Sequence, residues 1–234
     1  MTQSNLYVSS PVNALVQGIL REEITLSHIL KKGDFGLGTF NDLDGEMVLL
    51  DGIFYQLRSD GTALVASTNT QSPYACVTHF KPTHISEYSH SASFAKLQAY
   101  LHDLLLSQNL IYAMKITGRF SSLRARSVPK QEAYRPLVEV AHDQVEFNFE
   151  HVSGTLVGFW TPDFMHSVTV PGFHLHFLTD NRLHGGHLLD CQIEQGRIEL
   201  QPIDQLVLDL PHSIQYLNAS LDGDTMQALN KAEH

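Results

Sequence analysis

Cysteine and positive charge are both scarce in this chain. Cys76 and Cys191 are its only cysteines. They are too few for a disulfide framework and too far apart for a Cys-x-x-Cys metal or redox motif, so a reduced chain is expected. Fifteen Lys and Arg face 25 Asp and Glu, a formal net charge of −10. That balance argues against a phosphate backbone or an anionic membrane surface as the main partner, and no nucleic acid and no membrane are expected. No apolar run approaches the roughly 18 residues of a membrane span, and the opening residues lack a basic segment followed by an apolar stretch. A soluble cytoplasmic protein is the expectation. Low charge (17%) with 43% hydrophobic residues excludes a disordered chain and is ample for a buried core. No internal repeat and no low-complexity segment is present. The outlier in the other direction is histidine, with 14 residues. Its imidazole titrates near neutral pH and is the commonest protein metal ligand.

Ser10 before Pro11 reads as a helix N-cap followed by proline at the first helical position, and Thr25 to Lys32 as a second short helix stopped by Gly33. From Phe35 the texture changes to short runs rich in Val, Ile, Phe and Tyr, with a hairpin turn at Ser59-Asp60-Gly61. Helical spacing returns over Ser91 to Ser107, where Phe94, Leu97, Leu101 and Leu104 share one face. LIYAMKITGRFSSLRARSVP then reads as one long strand or two consecutive ones, and Val145 to Leu210 as almost wholly strand, with turns expected at Ser153-Gly154, Asp180-Asn181 and Gln195-Gly196. The last residues read as a turn and a short helix or tail. The expected fold class is α+β. A mixed β-sheet with flanking helices is expected over 1–140, and a smaller β-rich part carrying a metal site over 141–234.

The strongest chemical signal is PGFHLHFLTDNRLHGGHLLD, residues 171 to 190. In a strand, residues i and i+2 share a face, so His174 and His176 project together. A reversal about Asp180-Asn181 sets His187 opposite His174 on that face and Gly185 opposite His176, while His184 turns away. Three imidazoles with an open fourth position are what a catalytic zinc requires. Imidazole ligands also allow nickel, copper, cobalt or iron(II). Other histidines read plainly: His79, His84 and His90 share no strand or helix face, and His142 and His166 sit in probable loops. Trp160 reads as core or pocket wall.

At these residues the chain resembles the acetolactate decarboxylases. The blocks GDFGLGTFNDLDGEMVLLDGIFYQ (33–56), RSVPKQE (126–132), GTLVGFWTP (154–162) and GFHLHFLTDNRLHGGHLLD (172–190) match that family's in order and at similar separations. The resemblance implies a zinc enzyme that converts 2-acetolactate to acetoin and carbon dioxide, usually a homodimer. It places the Zn2+ ligands at His174, His176 and His187, and an active-site acid at Glu46. It also places a substrate-binding arginine at Arg126, with Arg124 as the neighbouring alternative, a second acid at Glu233, and a ligand-contacting threonine at Thr39.

The chemistry is consistent with that set. Losing carbon dioxide from acetolactate leaves an enediolate whose charge a Lewis acid on three neutral histidines can stabilise without an organic cofactor. An arginine fork suits the carboxylate, and Glu46 or Glu233 could deliver the proton that creates the acetoin stereocentre. Two rivals stand beside this reading. One is a cupin-like iron oxygenase in which Asp180 joins the His-x-His pair; the other is a metal-binding module without catalysis.

Overall fold

The computed structural model describes residues 4–132, 135–223 and 225–233. Two sheets carry the fold. The first joins β1 (Asn5–Val8), β2 (Phe35–Thr39), β3 (Glu46–Leu50), β4 (Ile53–Leu57), β5 (Ala63–Val65), β6 (Ala75–Thr78) and β13 (Gln205–Leu208) in the order β13-β1-β6-β2-β3-β4-β5. The second comprises β7 (His84–Tyr88), β8 (Ala92–Ser93), β9 (Ile111–Ser127), β10 (Val145–Thr161), β11 (Gly172–Thr179) and β12 (Gly185–Ile203). Among the described residues six α-helices accompany them: α1 (Val12–Val16), α2 (Leu26–Leu30), α3 (Phe94–Leu104), α4 (Leu137–Val140), α5 (Ile214–Asn218) and α6 (Thr225–Glu233). The class is α+β and mostly sheet.

The central strands β2, β3 and β6 of the first sheet are buried on both faces, which is why EMVLL is a continuous apolar run rather than an alternating one. Tyr7, Met47, Leu49, Phe54 and Val77 pack beneath Leu26 and Ile29 of α2. The alternate residues Leu6, Val8, Leu37, Val48 and Leu57 face the second sheet. That sheet closes on itself: β9 pairs with β10, β10 with β11, β11 with β12 and β12 with β9. Leu123, Leu156, Leu175, Phe120 and Phe177 fill the ring, together with Leu97 and Leu101 of α3. Ala113, Val157, Phe159 and Leu178 point outward and join the core shared with the first sheet. Polar groups on the part of the outward face around Ala113, Val157, Phe159 and Leu178 therefore lie between two sheets, where charges act in a low dielectric.

Several local expectations hold. Thr25 caps α2, its Oγ1 accepting from His28 N–H at 3.4 Å. Gly61 takes a left-handed φ of 80° in the β4–β5 hairpin, and α3 covers the expected apolar face. Other expectations need correction. α1 starts at Val12 with Pro11 as its cap, one residue later than the Ser10 signal suggests. The turns expected at Ser153-Gly154 and Gln195-Gly196 are absent: β10 and β12 run through them as strands of 17 and 19 residues. Each glycine instead permits close approach. A Cβ on Gly154 would lie 2.4 Å from the Phe177 ring, and Gly196 sits opposite Gly118. The segment after α3, expected as one long strand or two consecutive ones, is the former, the 17-residue β9. β9 and β10, which lie on either side of residue 140 in the chain, are paired neighbours in one sheet.

The register of the His-rich hairpin also differs from the expectation. His187 lies opposite His176, and Gly185 opposite Leu178. The reversal is a four-residue loop, Asp180 to Leu183. It is closed by Thr179 N–H to the His184 carbonyl at 3.0 Å and by Asn181 Oδ1, which accepts from the Thr179 hydroxyl and from Leu183 N–H. Arg182 takes the left-handed conformation inside the loop. Lengthening a loop by two residues slides the pairing by two and preserves which face each side chain occupies, so all three histidines still project together.

Candidate metal centre and active site

His174, His176 and His187 converge on the outward face of β11 and β12, each with a ring nitrogen within 4.8 Å of the other two. Their ring centroids are 5.1, 5.1 and 5.3 Å apart. All three are buried. Gly158 on β10 makes the first of them possible, because a Cβ there would lie 1.9 Å from the His174 carbonyl oxygen.

His176 Nδ1 lies 2.8 Å from the Met47 carbonyl oxygen of β3. A carbonyl only accepts, so Nδ1 carries the proton and the Nε2 lone pair faces inward. Burial drives this imidazole's pKa from 6.5 down to about 3; the Met47 hydrogen bond opposes that shift and the Arg126 charge adds to it. The ring is thus neutral at pH 7. Its Nε2 is buried without a hydrogen bond and stands 3.6 Å from Glu46 Oε2. A lone pair and a carboxylate oxygen facing each other at that distance fit a cation held beside them, and a set of three imidazoles fits a divalent one.

Glu46 opens β3 and Arg126 lies near the end of β9. They form an ion pair, Nη1 to Oε1 at 3.0 Å, with side chains only 10% and 6% exposed. Glu46 shares its face of β3 with Val48 and so looks toward the ring of strands. Arg126 sits directly opposite His187. Its orientation depends on a change of register within β9. Tyr112, Met114, Ile116 and Phe120 point into the ring, whereas beyond Phe120 the inward residues are Leu123 and Ala125. Without that switch Arg126 would point inside. Arg124, the alternative, is about half exposed and pairs with Glu146 at 3.5 Å.

Thr39 ends β2 beside this pair. It is buried, and its hydroxyl donates to the Gly45 carbonyl at 2.7 Å. A cavity of about 510 Å³, counting its open mouth, connects Thr39, Glu46, Arg126, His174 and His176. Val12 and Leu15 of α1, Leu43, Val128, Leu137 of α4 and Val170 give it an apolar wall. Tyr74 also lines it and carries no signal in the sequence; its hydroxyl lies 3.0 Å from Cys76 Sγ on the same strand face. Asp180 is exposed in the hairpin loop, so the histidines have no fourth ligand there of the kind a cupin-like oxygenase would need. Glu233 closes α6, and its side chain lies outside the described residues. α6 packs against α1 and α4, which wall the cavity.

A family model described as alpha-acetolactate decarboxylase matches residues 6–223. The chain belongs to the alpha-acetolactate decarboxylase family. It is 42% identical to the alpha-acetolactate decarboxylase of Methanosarcina mazei, over 97% of this chain and 80% of that one. The Bacillus subtilis enzyme is 39% identical, over 94% and 86%. A crystal structure of the B. subtilis alpha-acetolactate decarboxylase superposes with a TM-score of 0.95 at 37% identity, covering 98% of this chain and 99% of that one. A Staphylococcus aureus protein described as similar to alpha-acetolactate decarboxylase gives 0.94 at 30% identity. Membership of this decarboxylase family thus covers both sheets and the cavity between them.

Proposed function

We propose that this chain decarboxylates 2-acetolactate to acetoin and carbon dioxide, using one divalent metal ion, read as Zn2+, held by His174, His176 and His187. One observation carries the reading: three buried imidazoles have ring nitrogens within 4.8 Å of one another, and two of them, His174 and His176, line a cavity together with a buried Arg–Glu pair. When bound, the ion would supply a Lewis acid that draws electron density from the substrate's oxygens as the C–C bond breaks.

The chain's own residues supply the rest. Arg126 offers a fork for the substrate carboxylate and orients the bond to be broken across the carbonyl plane, so the carboxylate is steered rather than simply held. Glu46 Oε2 is 3.6 Å from His176 Nε2, within reach of whatever those histidines hold. A carboxylate beside arginine favours its charged form, so Glu46 acts first as an acceptor of a proton from a substrate hydroxyl. It then returns that proton to the carbon that lost carbon dioxide. Delivery of that proton from the Glu46 side fixes the configuration of acetoin, and the one proton consumed overall is taken up from solvent to restore the hydroxyl. Thr39 lines the same wall and is positioned for a substrate oxygen. Glu233, at the end of α6, is the second acid of this reading. The apolar wall excludes water during the step. A homodimer and a cytoplasmic location belong to the same reading.

The test is carbon dioxide release and chiral analysis of acetoin from racemic acetolactate, with and without a chelator. Turnover that chelation abolishes and Zn2+ restores supports the proposal. Equal turnover by the metal-stripped chain contradicts it.

A further inference from the structure

The loop between β2 and β3 is held in an expensive conformation. Asp42 and Leu43 have φ of 65° and 52°, and Gly45 has 85°. Two successive non-glycine residues in the left-handed region are strained and persist only where the surroundings hold them. Leu43 lines the cavity, and Glu46 follows at the loop's end.

Asp42 is where this loop is fastened. Its carboxylate pairs with Arg21 through Oδ1 and with Lys130 Nζ at 3.5 Å through Oδ2. Its backbone N–H donates to the Leu20 carbonyl at 2.8 Å, and its carbonyl accepts from Gln131 N–H at 2.7 Å. Asn41 beside it hydrogen-bonds both backbone groups of Glu22. Asp42 lies four residues before Glu46, and Lys130 four residues after Arg126. The contacts of Asp42 with Lys130 and Gln131 therefore form a second rung, parallel to the Glu46–Arg126 pair, between the same two chain segments.

We propose that Asp42 is a positioning residue that clamps the β2–β3 loop to the segment after β9 and thereby sets Glu46 against Arg126. This rests on the reading of Glu46 as the proton carrier. The clamp replaces conformational preference: the loop keeps its left-handed turn because both ends of Asp42 are anchored, and Glu46 is placed by that turn.

The experiment compares Asp42→Asn, Asp42→Gly and Lys130→Gln in the metal-loaded protein, with Glu46→Gln as control. Asparagine and glycine both tolerate the left-handed conformation, so either variant removes the carboxylate's two ion pairs from the clamp without adding strain. The expected result for both Asp42 variants is a kcat lower by about tenfold with KM within about twofold. A loss of enantiomeric purity in acetoin and faster hydrogen exchange across 41–46 should accompany it, at unchanged metal content. Lys130→Gln, on an exposed side chain, should move all three readouts in the same direction by less, and it keeps the test open should an Asp42 variant fold poorly. Wild-type kcat, chirality and exchange in Asp42→Gly or in Lys130→Gln would overturn the clamp. Wild-type turnover in Glu46→Gln would overturn the Glu46 reading instead, whatever the Asp42 variants do.

Discussion

Replacing Arg126 by methionine is expected to destabilise the metal-free protein far more than loss of an ordinary ion pair does. Arg126 and Glu46 are 6% and 10% exposed and 3.0 Å apart. Removing the guanidinium leaves a carboxylate sealed between two sheets with the nearby imidazole as poor compensation. Breaking a buried pair from one side costs about 3–5 kcal/mol. For a domain of this size, 3 kcal/mol corresponds to a fall in Tm of about 6–12 °C. Arg124→Met is the internal control, since Arg124 and Glu146 are 49% and 40% exposed and such pairs contribute about 0–1 kcal/mol. The double variant Arg126→Met/Glu46→Gln should recover most of the loss, because the uncompensated charge goes with Glu46. Urea unfolding with chelator present measures all four proteins and keeps metal binding from adding its own stabilisation. If Arg126→Met unfolds within about 1 kcal/mol of wild type, or if the double variant is no more stable than Arg126→Met, the pair is not the buried charge partnership described here.

Further expectations concern activity, packing and thiols. Arg126→Lys keeps the charge but loses the fork, so kcat/KM should fall by at least about tenfold while Arg124→Lys stays near wild type; equal losses would place the carboxylate anchor elsewhere. Gly158→Ala puts a Cβ 1.9 Å from the His174 carbonyl and should lower metal occupancy and Tm together. Retention of both would mean that β10 and β11 can move apart at no cost. Burial pushes the Cys76 and Cys191 thiols up to about 12. Both stay neutral and unreactive at pH 8, and a disulfide-exchange reagent should find no fast thiol until the chain is unfolded. Rapid stoichiometric labelling of the native protein would contradict that burial.

What the sequence made legible follows from which signals are local. The two-residue period of a strand puts His174 and His176 on one face whatever the rest of the fold does, and an even loop keeps His187 with them. The pairing could slide by two residues without harm, so the grouping was readable although the register was not. Short apolar runs also marked the sheet that holds β2 and β3, and helical spacing the apolar face of α3. The orientation of Arg126 was not readable from spacing, because it depends on the change of inward register between Phe120 and Leu123 in the middle of β9. Long strands such as β10 and β12 were split by expected turns because glycine marks both a reversal and a close approach between backbones; only the partner strand distinguishes them. Tyr74 and Asp42 carried no local motif. Their importance comes from what stands across from them, the cavity in one case and the segment after β9 in the other.

The central claim is that three imidazoles hold one divalent ion on which turnover depends. Its most direct test is metal analysis of the purified protein and of His176→Ala, each paired with carbon dioxide release from acetolactate. Wild type should hold about one equivalent per chain, and the variant should lose metal and turnover together. A metal-free His176→Ala protein that still releases carbon dioxide at the wild-type rate would contradict the account.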